Sequence, residues 1–220
     1  MQHALVLSTE KFDIIYDRIS EELANSGWCV IPDYYETALI HDLNQDLSAY
    51  RTADALSPAG IGRGGDFKID DTVRNDKTHW LTRETEAQTR FLDIMESLRS
   101  AMNRRLFLGL FEFEAHFALY EPGGFYQKHK DSFTGAANRI LTTVTYLNEN
   151  WQDEDGGYLI IHAPETEREI ARIKPEAGTL VIFLSEEIPH EVEHTHRRRS
   201  SIAGWFRLNA SIAGDIDPIT

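Results

Sequence analysis

The period of the hydrophobic pattern changes once along this chain, near residue 110, and this change restricts the fold more than any other feature. Before it, apolar residues recur at helical spacing, which predicts helices at 12–23, 39–50 and 91–102. After it, residues 111–119 alternate apolar side chains with Glu112, Glu114 and His116. A period of two predicts a half-buried β-strand.

Further β-rich runs follow this strand at short spacing, separated by turn signals such as Pro122-Gly123-Gly124. They lie at 125–128, 140–147, 158–162, 169–173, 179–184, 191–195 and 201–208. About eight strands without intervening helices predict an antiparallel jelly roll. We therefore expect an α+β fold, a double-stranded β-helix (jelly roll) with the N-terminal helices packed on one face.

We expect one domain over residues 1–220. Residues 1–109 form its mainly helical support, with a short strand at 28–31, and residues 110–208 form its jelly-roll core. Residues 209–220 form a tail. The Gly-rich stretch at 57–65 is expected to be a mobile loop.

Charge and cysteine content limit the classes of partner. Lys plus Arg number 22 and Asp plus Glu 36, a formal charge of −14, so we expect no nucleic-acid partner. The single Cys29 excludes an intramolecular disulfide and favours a reducing compartment. A signal-peptide pattern and an apolar run of membrane-spanning length are both missing from the sequence, which predicts a cytoplasmic protein with no membrane partner.

Three side chains of types that bind metals occur in an order and spacing compatible with one metal site. His129 and Asp131 are two residues apart, so in a strand they would share one face. His190 follows a short apolar run some sixty residues later. Two histidines and a carboxylate form the facial triad of non-haem Fe(II) oxygenases, which leaves coordination positions open. A His-x-Asp pair alone is a weak signal, since isolated histidines are more often surface or core side chains.

A candidate anion-binding pair strengthens this hypothesis. Arg199 lies nine residues after His190 on the last long strand. A guanidinium can bind a carboxylate with two parallel hydrogen bonds, which suits the distal carboxylate of 2-oxoglutarate. The phenol of Tyr146 could donate to the same carboxylate. Strand alternation predicts that in the run 197–199 only Arg199 points inward.

These motifs resemble those of the hypoxia-inducible-factor-type prolyl hydroxylases and their bacterial relatives, within the 2-oxoglutarate- and Fe(II)-dependent oxygenases. The resemblance covers roughly residues 20–208. Its matching segments are 120–131 (Tyr-Glu-Pro-Gly-Gly-Phe-Tyr-Gln-Lys-His-Lys-Asp), 139–151, 155–157, 189–199, Trp205 and, upstream, 73–80.

The resemblance implies a role for each matching residue. His129, Asp131 and His190 would bind iron, and Arg199 would bind the distal carboxylate of 2-oxoglutarate. Two tyrosines, Tyr146 and Tyr120, would support that carboxylate or line its surroundings. Three residues would serve the substrate: Arg139 and Asp76, paired at the entrance, and Trp205, which would form a wall of the pocket.

The implied activity is hydroxylation of a substrate carbon, with a prolyl residue in a protein or peptide as the expected target. Fe(II), 2-oxoglutarate and O₂ are the expected cofactor and co-substrates, with ascorbate as a further candidate. One departure from the family pattern is Ala203, where the animal enzymes carry a Thr beside the co-substrate. One hydrogen bond to the co-substrate is therefore in doubt.

Three alternatives remain open from the residues. Residues 190–194 match the zinc-protease pattern His-Glu-x-x-His, but that chemistry requires a helix, and this segment is predicted to be a strand. A cupin-type metal-binding jelly roll would use His129 and His190 without 2-oxoglutarate. A non-catalytic binding module would keep the fold alone, although it would have no need of the triad and Arg199 together.

Overall fold

The protein, described here from a computed structural model, contains three long helices and eleven strands in the part that the structure describes. The described residues are 2–60, 68–132 and 138–209, with only the backbone described for 2–11. Most of the predicted loop at 57–65 and residues 210–220 of the predicted tail lie outside them.

The helices are α1 (Gln2–Ser26), α2 (Thr37–Thr52) and α3 (Glu86–Leu106). The N-terminal strands are β1 (Trp28–Ile31), β2 (Ser57–Pro58) and β3 (Lys77–Trp80). The later strands are β4 (Glu112–Tyr120), β5 (Tyr126–His129), β6 (Arg139–Tyr146), β7 (Leu159–His162), β8 (Glu169–Ile173), β9 (Leu180–Leu184), β10 (His190–Val192) and β11 (Arg199–Arg207).

The strands form two antiparallel sheets. The major sheet has the order β1-β9-β6-β11-β4-β3-β2, and the minor sheet has the order β5-β10-β7-β8. The helices lie on one face of the major sheet, and the minor sheet covers the other face. This arrangement confirms the predicted α+β jelly roll.

The two faces of the major sheet have separate cores. On the helical side, Phe117, Ile182 and Phe206 pack with residues such as Leu43 and Phe91. On the side of the minor sheet, the alternate residues of the same strands pack against that sheet: Ala118, Tyr120, Val144, Tyr146, Val181 and Phe183. Each central strand is therefore buried on both faces.

This burial corrects the expectation that the strand at 111–119 has one face in solvent. From Ala115 to Tyr120, every residue of β4 is buried. His116, a polar member of the alternation, is 6% exposed and packs against Trp80 and Trp205. Polar residues on this face therefore mark an interior site.

The N-terminal part contributes more to the sheet than predicted. The strands predicted from 111 onward are all present, with ends displaced by a few residues, and β1 matches its predicted range. However, β2 and β3 also join the major sheet, through pairing of β3 with β4. They were not predicted, because β2 has only two residues and β3 (Lys-Thr-His-Trp) contains no run of apolar side chains. The jelly roll thus extends beyond residues 110–208.

The described helices include none that is both long enough and apolar enough to cross a membrane.

Truncating Phe91 is expected to destabilise the protein strongly. Its side chain is fully buried in α3, with ring centroids of Tyr35 at 5.7 Å and Phe113 at 6.4 Å. Phe91→Ala should lower the free energy of unfolding by about 3–5 kcal/mol, because it leaves a cavity. The matched control Phe111→Ala, at a residue that is 59% exposed, should change it by about 0.5 kcal/mol or less. Urea denaturation followed by circular dichroism measures both, and equal losses would contradict this account of the core.

Candidate active site

Two neighbouring strands of the minor sheet bring the three predicted metal ligands together. His129 ends β5 and His190 begins β10, and the two residues are direct partners in the antiparallel register. Asp131 follows β5 by two residues. One ligand atom from each of the three side chains lies within 4.8 Å of the others. The predicted ligands therefore converge on a space that one metal ion can fill.

Hydrogen bonds set both imidazoles for metal binding. The Nδ1 of His129 lies 2.7 Å from the carbonyl oxygen of Gln127, and that of His190 lies 3.1 Å from the carbonyl oxygen of Ile188. A carbonyl oxygen only accepts, so each Nδ1 carries the proton and each Nε2 has a free lone pair. Burial, followed by the nearby His129, lowers the pKa of His190 to about 4. The imidazole of His190 is thus neutral at pH 7, as ligation requires.

The carboxylate of Asp131 is held from the major sheet. Its two oxygens lie 3.6 Å from the Nε2 atoms of His129 and His190, one oxygen to each. The hydroxyl of Thr142, on β6, donates to the Oδ2 of Asp131 at 2.8 Å. This contact fixes the one ligand that belongs to no strand. With its two imidazoles and one carboxylate, the site fits a non-haem Fe(II) ion.

A stack of side chains supports His129 from its outer side. The ring of Tyr126 is parallel to that of His129, with centroids 3.6 Å apart. The guanidinium of Arg74 lies 4.3 Å from the centroid of Tyr126. Arg74 in turn forms two hydrogen bonds with Asp76, at 2.7 and 2.6 Å. The orientation of His129 is therefore set by a chain of contacts that ends in a buried carboxylate.

Arg199 and Tyr146 lie together in the interior, with the guanidinium 5.1 Å from the ring centroid of Tyr146. Arg199 is 1% exposed, and its Nε donates to the carbonyl oxygen of Gly157 at 2.8 Å. Its Nη1 lies 3.3 Å from the hydroxyl of Ser201. Its Nη2 and the hydroxyl of Tyr146 are buried and have no hydrogen-bond partner among the described residues. Burial raises the pKa of Tyr146 to about 12, so its hydroxyl remains a donor.

Two buried donors without an acceptor are costly unless a ligand pairs with them. A carboxylate fits, because it carries two acceptor oxygens and the charge opposite to that of Arg199. Tyr120 lies beside them, with its ring centroid 5.1 Å from the guanidinium. Because Arg199, Ser201 and Tyr146 share the face of the major sheet that carries Thr142, these residues belong to the same site as the metal ligands.

The substrate-side residues depart in one respect from the sequence-based expectation. The predicted pair of Arg139 with Asp76 is replaced by two other pairs, because each charge has a closer partner. Asp76 binds Arg74, and Arg139 binds Glu114 at 2.7 Å. Arg139 also lies over Trp205, 3.6 Å from its ring centroid. Trp205 is 6% exposed and lies on the face of β11 that carries Arg199.

The zinc-protease alternative fails on geometry. Residues His190–Val192 form β10, and His194 lies beyond the strand and is exposed. The helical turn that would bring His190 and His194 to one ion is therefore missing. Arg199, by contrast, is buried while Arg197 and Arg198 are exposed, as strand alternation predicts.

Sequence reasoning missed several residues that support the site, notably Thr142, Arg74 and Tyr126. Thr142 shares its strand face with Tyr146, so alternation along β6 could have assigned it to the site. Nothing local connects Arg74 with Tyr126, because their contact depends on a bridge between segments some fifty residues apart.

Comparisons with known proteins give a consistent family. The family model described as the 2OG-Fe(II) oxygenase superfamily matches residues 115–207. Among curated proteins, the chain is 27% identical over 205 residues to a hypoxia-inducible factor prolyl hydroxylase of Caenorhabditis elegans. This match covers 87% of the chain and 28% of that protein. The chain is 25% identical to human Egl nine homolog 1, and this match covers 82% of the chain and 43% of that protein. The chain thus spans less than half the length of these two relatives.

Solved structures agree. A prolyl-4-hydroxylase of Pseudomonas putida superposes with a TM-score of 0.81 at 38% identity, over 88% of this chain and 99% of that chain. A Trichoplax adhaerens prolyl hydroxylase in complex with a hypoxia-inducible factor peptide fragment superposes with a TM-score of 0.82. The two sequences are 23% identical, and the superposition covers 91% of this chain and 92% of that chain. This likeness supports the assignment of the fold.

Removing the hydroxyl of Thr142 is expected to weaken metal binding. Thr142→Val should lower the affinity for Fe(II) roughly 10- to 100-fold, because Asp131 loses its orienting donor. The control Thr145→Val alters the opposite face of the same strand, where Thr145 bonds to Tyr35 at 2.8 Å. Anaerobic calorimetric titration with Fe(II) measures both variants. An equal loss of affinity in the two would show that Thr142 acts only through stability.

Proposed function

This chain belongs to the 2OG-Fe(II) oxygenase superfamily as a protein of the prolyl hydroxylase type, and we propose that it hydroxylates a prolyl residue in a protein substrate. The reaction consumes 2-oxoglutarate and O₂ and yields succinate, CO₂ and the hydroxylated residue. One oxygen atom of O₂ enters succinate, and the other enters the substrate carbon. The observation that carries this proposal is the pair of unpaired buried donors, Arg199 Nη2 and Tyr146 hydroxyl, on the sheet face that also supports the metal ligands.

His129, Asp131 and His190 would hold Fe(II), which would supply the activation of O₂. The residues of the chain provide binding, orientation and exclusion of water. Arg199 and Tyr146 bind the distal carboxylate of 2-oxoglutarate and so fix its opposite end toward the metal ligands. The ring of Phe183, 4.5 Å from that of His190, belongs to the apolar wall that keeps bulk water away.

A protein substrate is supported by the similarity to relatives named as hydroxylases of hypoxia-inducible factor and by a solved neighbour that holds a peptide. The exposed edge of the site suits such a substrate, since Trp80 at the margin of the major sheet is 38% exposed. Trp205, with its ring centroid 6.4 Å from that of Trp80, and Arg139, which lies over Trp205, are proposed to contact the peptide, and the buried Asp76 is proposed to act through its pair with Arg74.

The cupin-type and non-catalytic alternatives explain less. A jelly roll that binds only a metal has no use for the buried Arg199 and Tyr146 donors, which destabilise the fold when unpaired. A binding module without activity has no use for three convergent metal ligands in the tautomers that ligation requires.

The activity is tested by incubating the full chain with Fe(II), 2-oxoglutarate and a cell lysate, followed by mass spectrometry of proline-containing peptides. We expect one or more peptides to gain the mass of one oxygen atom on proline, together with formation of succinate. His190→Ala is the inactive control, because it removes a metal ligand. Succinate formation without any oxidised prolyl peptide would overturn the prolyl assignment, and the absence of succinate would overturn the oxygenase assignment.

Removing the guanidinium of Arg199 is expected to weaken binding of 2-oxoglutarate. Arg199→Leu should cost about 2–3 kcal/mol, because a charged and bidentate hydrogen-bonding partner is lost. Arg198→Leu is the matched control, since Arg198 is adjacent and exposed. Anaerobic titration of the Fe(II)-loaded protein with 2-oxoglutarate, read from the visible charge-transfer band, measures both. Unchanged binding in Arg199→Leu would contradict this role, and thermal melting verifies that each variant is folded.

A further inference from the structure

The direction of the unpaired nitrogen of Arg199 is set by the contacts of the other two nitrogens in its guanidinium. Its Nε donates to the carbonyl oxygen of Gly157 at 2.8 Å, and its Nη1 lies 3.3 Å from the hydroxyl of Ser201. The guanidinium is planar and rigid, so these two contacts also fix where Nη2 points. The carbonyl of Gly157 makes the shorter contact and is therefore the main guide.

This carbonyl belongs to a turn of two glycines in left-handed backbone conformations. The φ angle is +63° at Gly156 and +65° at Gly157. A Cβ atom at Gly157 would lie 3.1 Å from the Cδ of Arg199 and 3.0 Å from the Cβ of Thr195, so glycine lets the turn pack directly against the arginine. Glycine, however, restricts its own backbone less than other residues do. The conformation of this turn must therefore be held by contacts from outside it.

The indole of Trp151 holds the turn. Trp151 is 1% exposed, and its Nε1 donates to the carbonyl oxygen of Gly156 at 2.9 Å. The N–H of Gly157 belongs to the same peptide unit and donates to the carbonyl oxygen of His194 at 3.1 Å. This peptide plane is thus fixed at both edges, directly before the carbonyl that accepts from Arg199.

The backbone beside Arg199 is held separately. The side chain of Asn148 accepts from the N–H of Ser200 at 2.7 Å and donates to the carbonyl oxygen of Ser200 at 3.0 Å. Arg199 itself is paired with Tyr120 in the register of β11 with β4. A change at Trp151 therefore leaves this backbone in place and acts on the direction of the guanidinium.

We propose that Trp151 is a positioning residue for the co-substrate: its indole N–H fixes the glycine turn and thereby directs the free nitrogen of Arg199 toward the distal carboxylate of 2-oxoglutarate. This inference rests on the proposed function, which assigns that carboxylate to Arg199 and Tyr146. The hydrogen bond of Trp151 thus contributes to the selection of a dicarboxylate over a 2-oxo acid that ends in a methyl group.

The test compares two probes that differ only at the distal end, 2-oxoglutarate and 2-oxopentanoate, in which a methyl group replaces the distal carboxylate. The full chain and Trp151→Phe are loaded with Fe(II) under anaerobic conditions and titrated with each probe, read from the visible charge-transfer band. We expect Trp151→Phe to bind 2-oxoglutarate roughly 5- to 10-fold more weakly, because Arg199 loses its alignment. Its affinity for 2-oxopentanoate should not change, since that probe has no distal charge for Arg199 to bind.

A second variant separates the hydrogen bond from the packing of the ring. Trp151→benzothienylalanine replaces the indole N–H with sulfur at nearly constant ring size, and it should reproduce the selective loss. The matched control Trp28→Phe removes an indole from β1, an edge strand of the major sheet, and should leave both affinities unchanged. An equal loss for the two probes in the benzothienylalanine variant, or no loss for 2-oxoglutarate, would overturn the proposal.

A direct readout of the arginine makes failure of this proposal distinguishable from failure of the proposed function. The Nε–H signal of Arg199 is followed in the ¹⁵N-labelled, Zn(II)-loaded full chain without 2-oxoglutarate and is assigned by its loss in Arg199→Leu. We expect an upfield shift in the benzothienylalanine variant, because the bond to Gly157 weakens. An unchanged signal would overturn the positioning role and leave the proposed function standing. If the signal shifts but the wild type does not bind 2-oxoglutarate, the link from Trp151 to Arg199 stands and the proposed co-substrate is wrong.

Discussion

The central strands of the major sheet are buried on both faces, and the positions of Thr142, Tyr146 and Arg199 follow from that constraint. One face is covered by helices and is apolar, with Phe117, Ile182 and Phe206 in its core. The other face is covered by a four-stranded sheet that carries His129 and His190. Polar side chains that are fully buried on this second face, such as Thr142 and Arg199, must find a partner in the protein or in a ligand.

The buried arginines differ in whether their charge is paired within the protein. Arg74 with Asp76, and Arg139 with Glu114, are ion pairs within the protein that fix neighbouring aromatic rings. Arg199, by contrast, retains a donor without a partner among the described residues. A buried guanidinium in that state costs stability, and the proposed binding of a dicarboxylate co-substrate would remove that cost. The net charge of −14 describes the surface and says nothing about this interior.

Much of the fold could be predicted because it depends on local periodicity, whereas the candidate metal ligands were predicted from the resemblance of their motifs to a known family. A period of two identified the strands, and alternation selected Arg199 from three consecutive arginines. The partner of Asp76 could not be predicted, since two arginines compete for it and only their distances decide. The stack of Arg74 on Tyr126 was equally beyond prediction, because it joins segments remote in sequence.

The sequence by itself indicated the jelly-roll class and, through strand alternation, the inward orientation of Arg199, while the candidate metal ligands followed from the resemblance of their motifs, since Asp131 lies outside β5. Only the tertiary structure decided whether each strand face contacts the core, another sheet or solvent. The alternation of β4 is compatible with a solvent-exposed polar face, yet every residue from Ala115 to Tyr120, including His116, is buried. The physical reason is that periodicity is a local property, whereas burial depends on contacts between strands far apart in the chain.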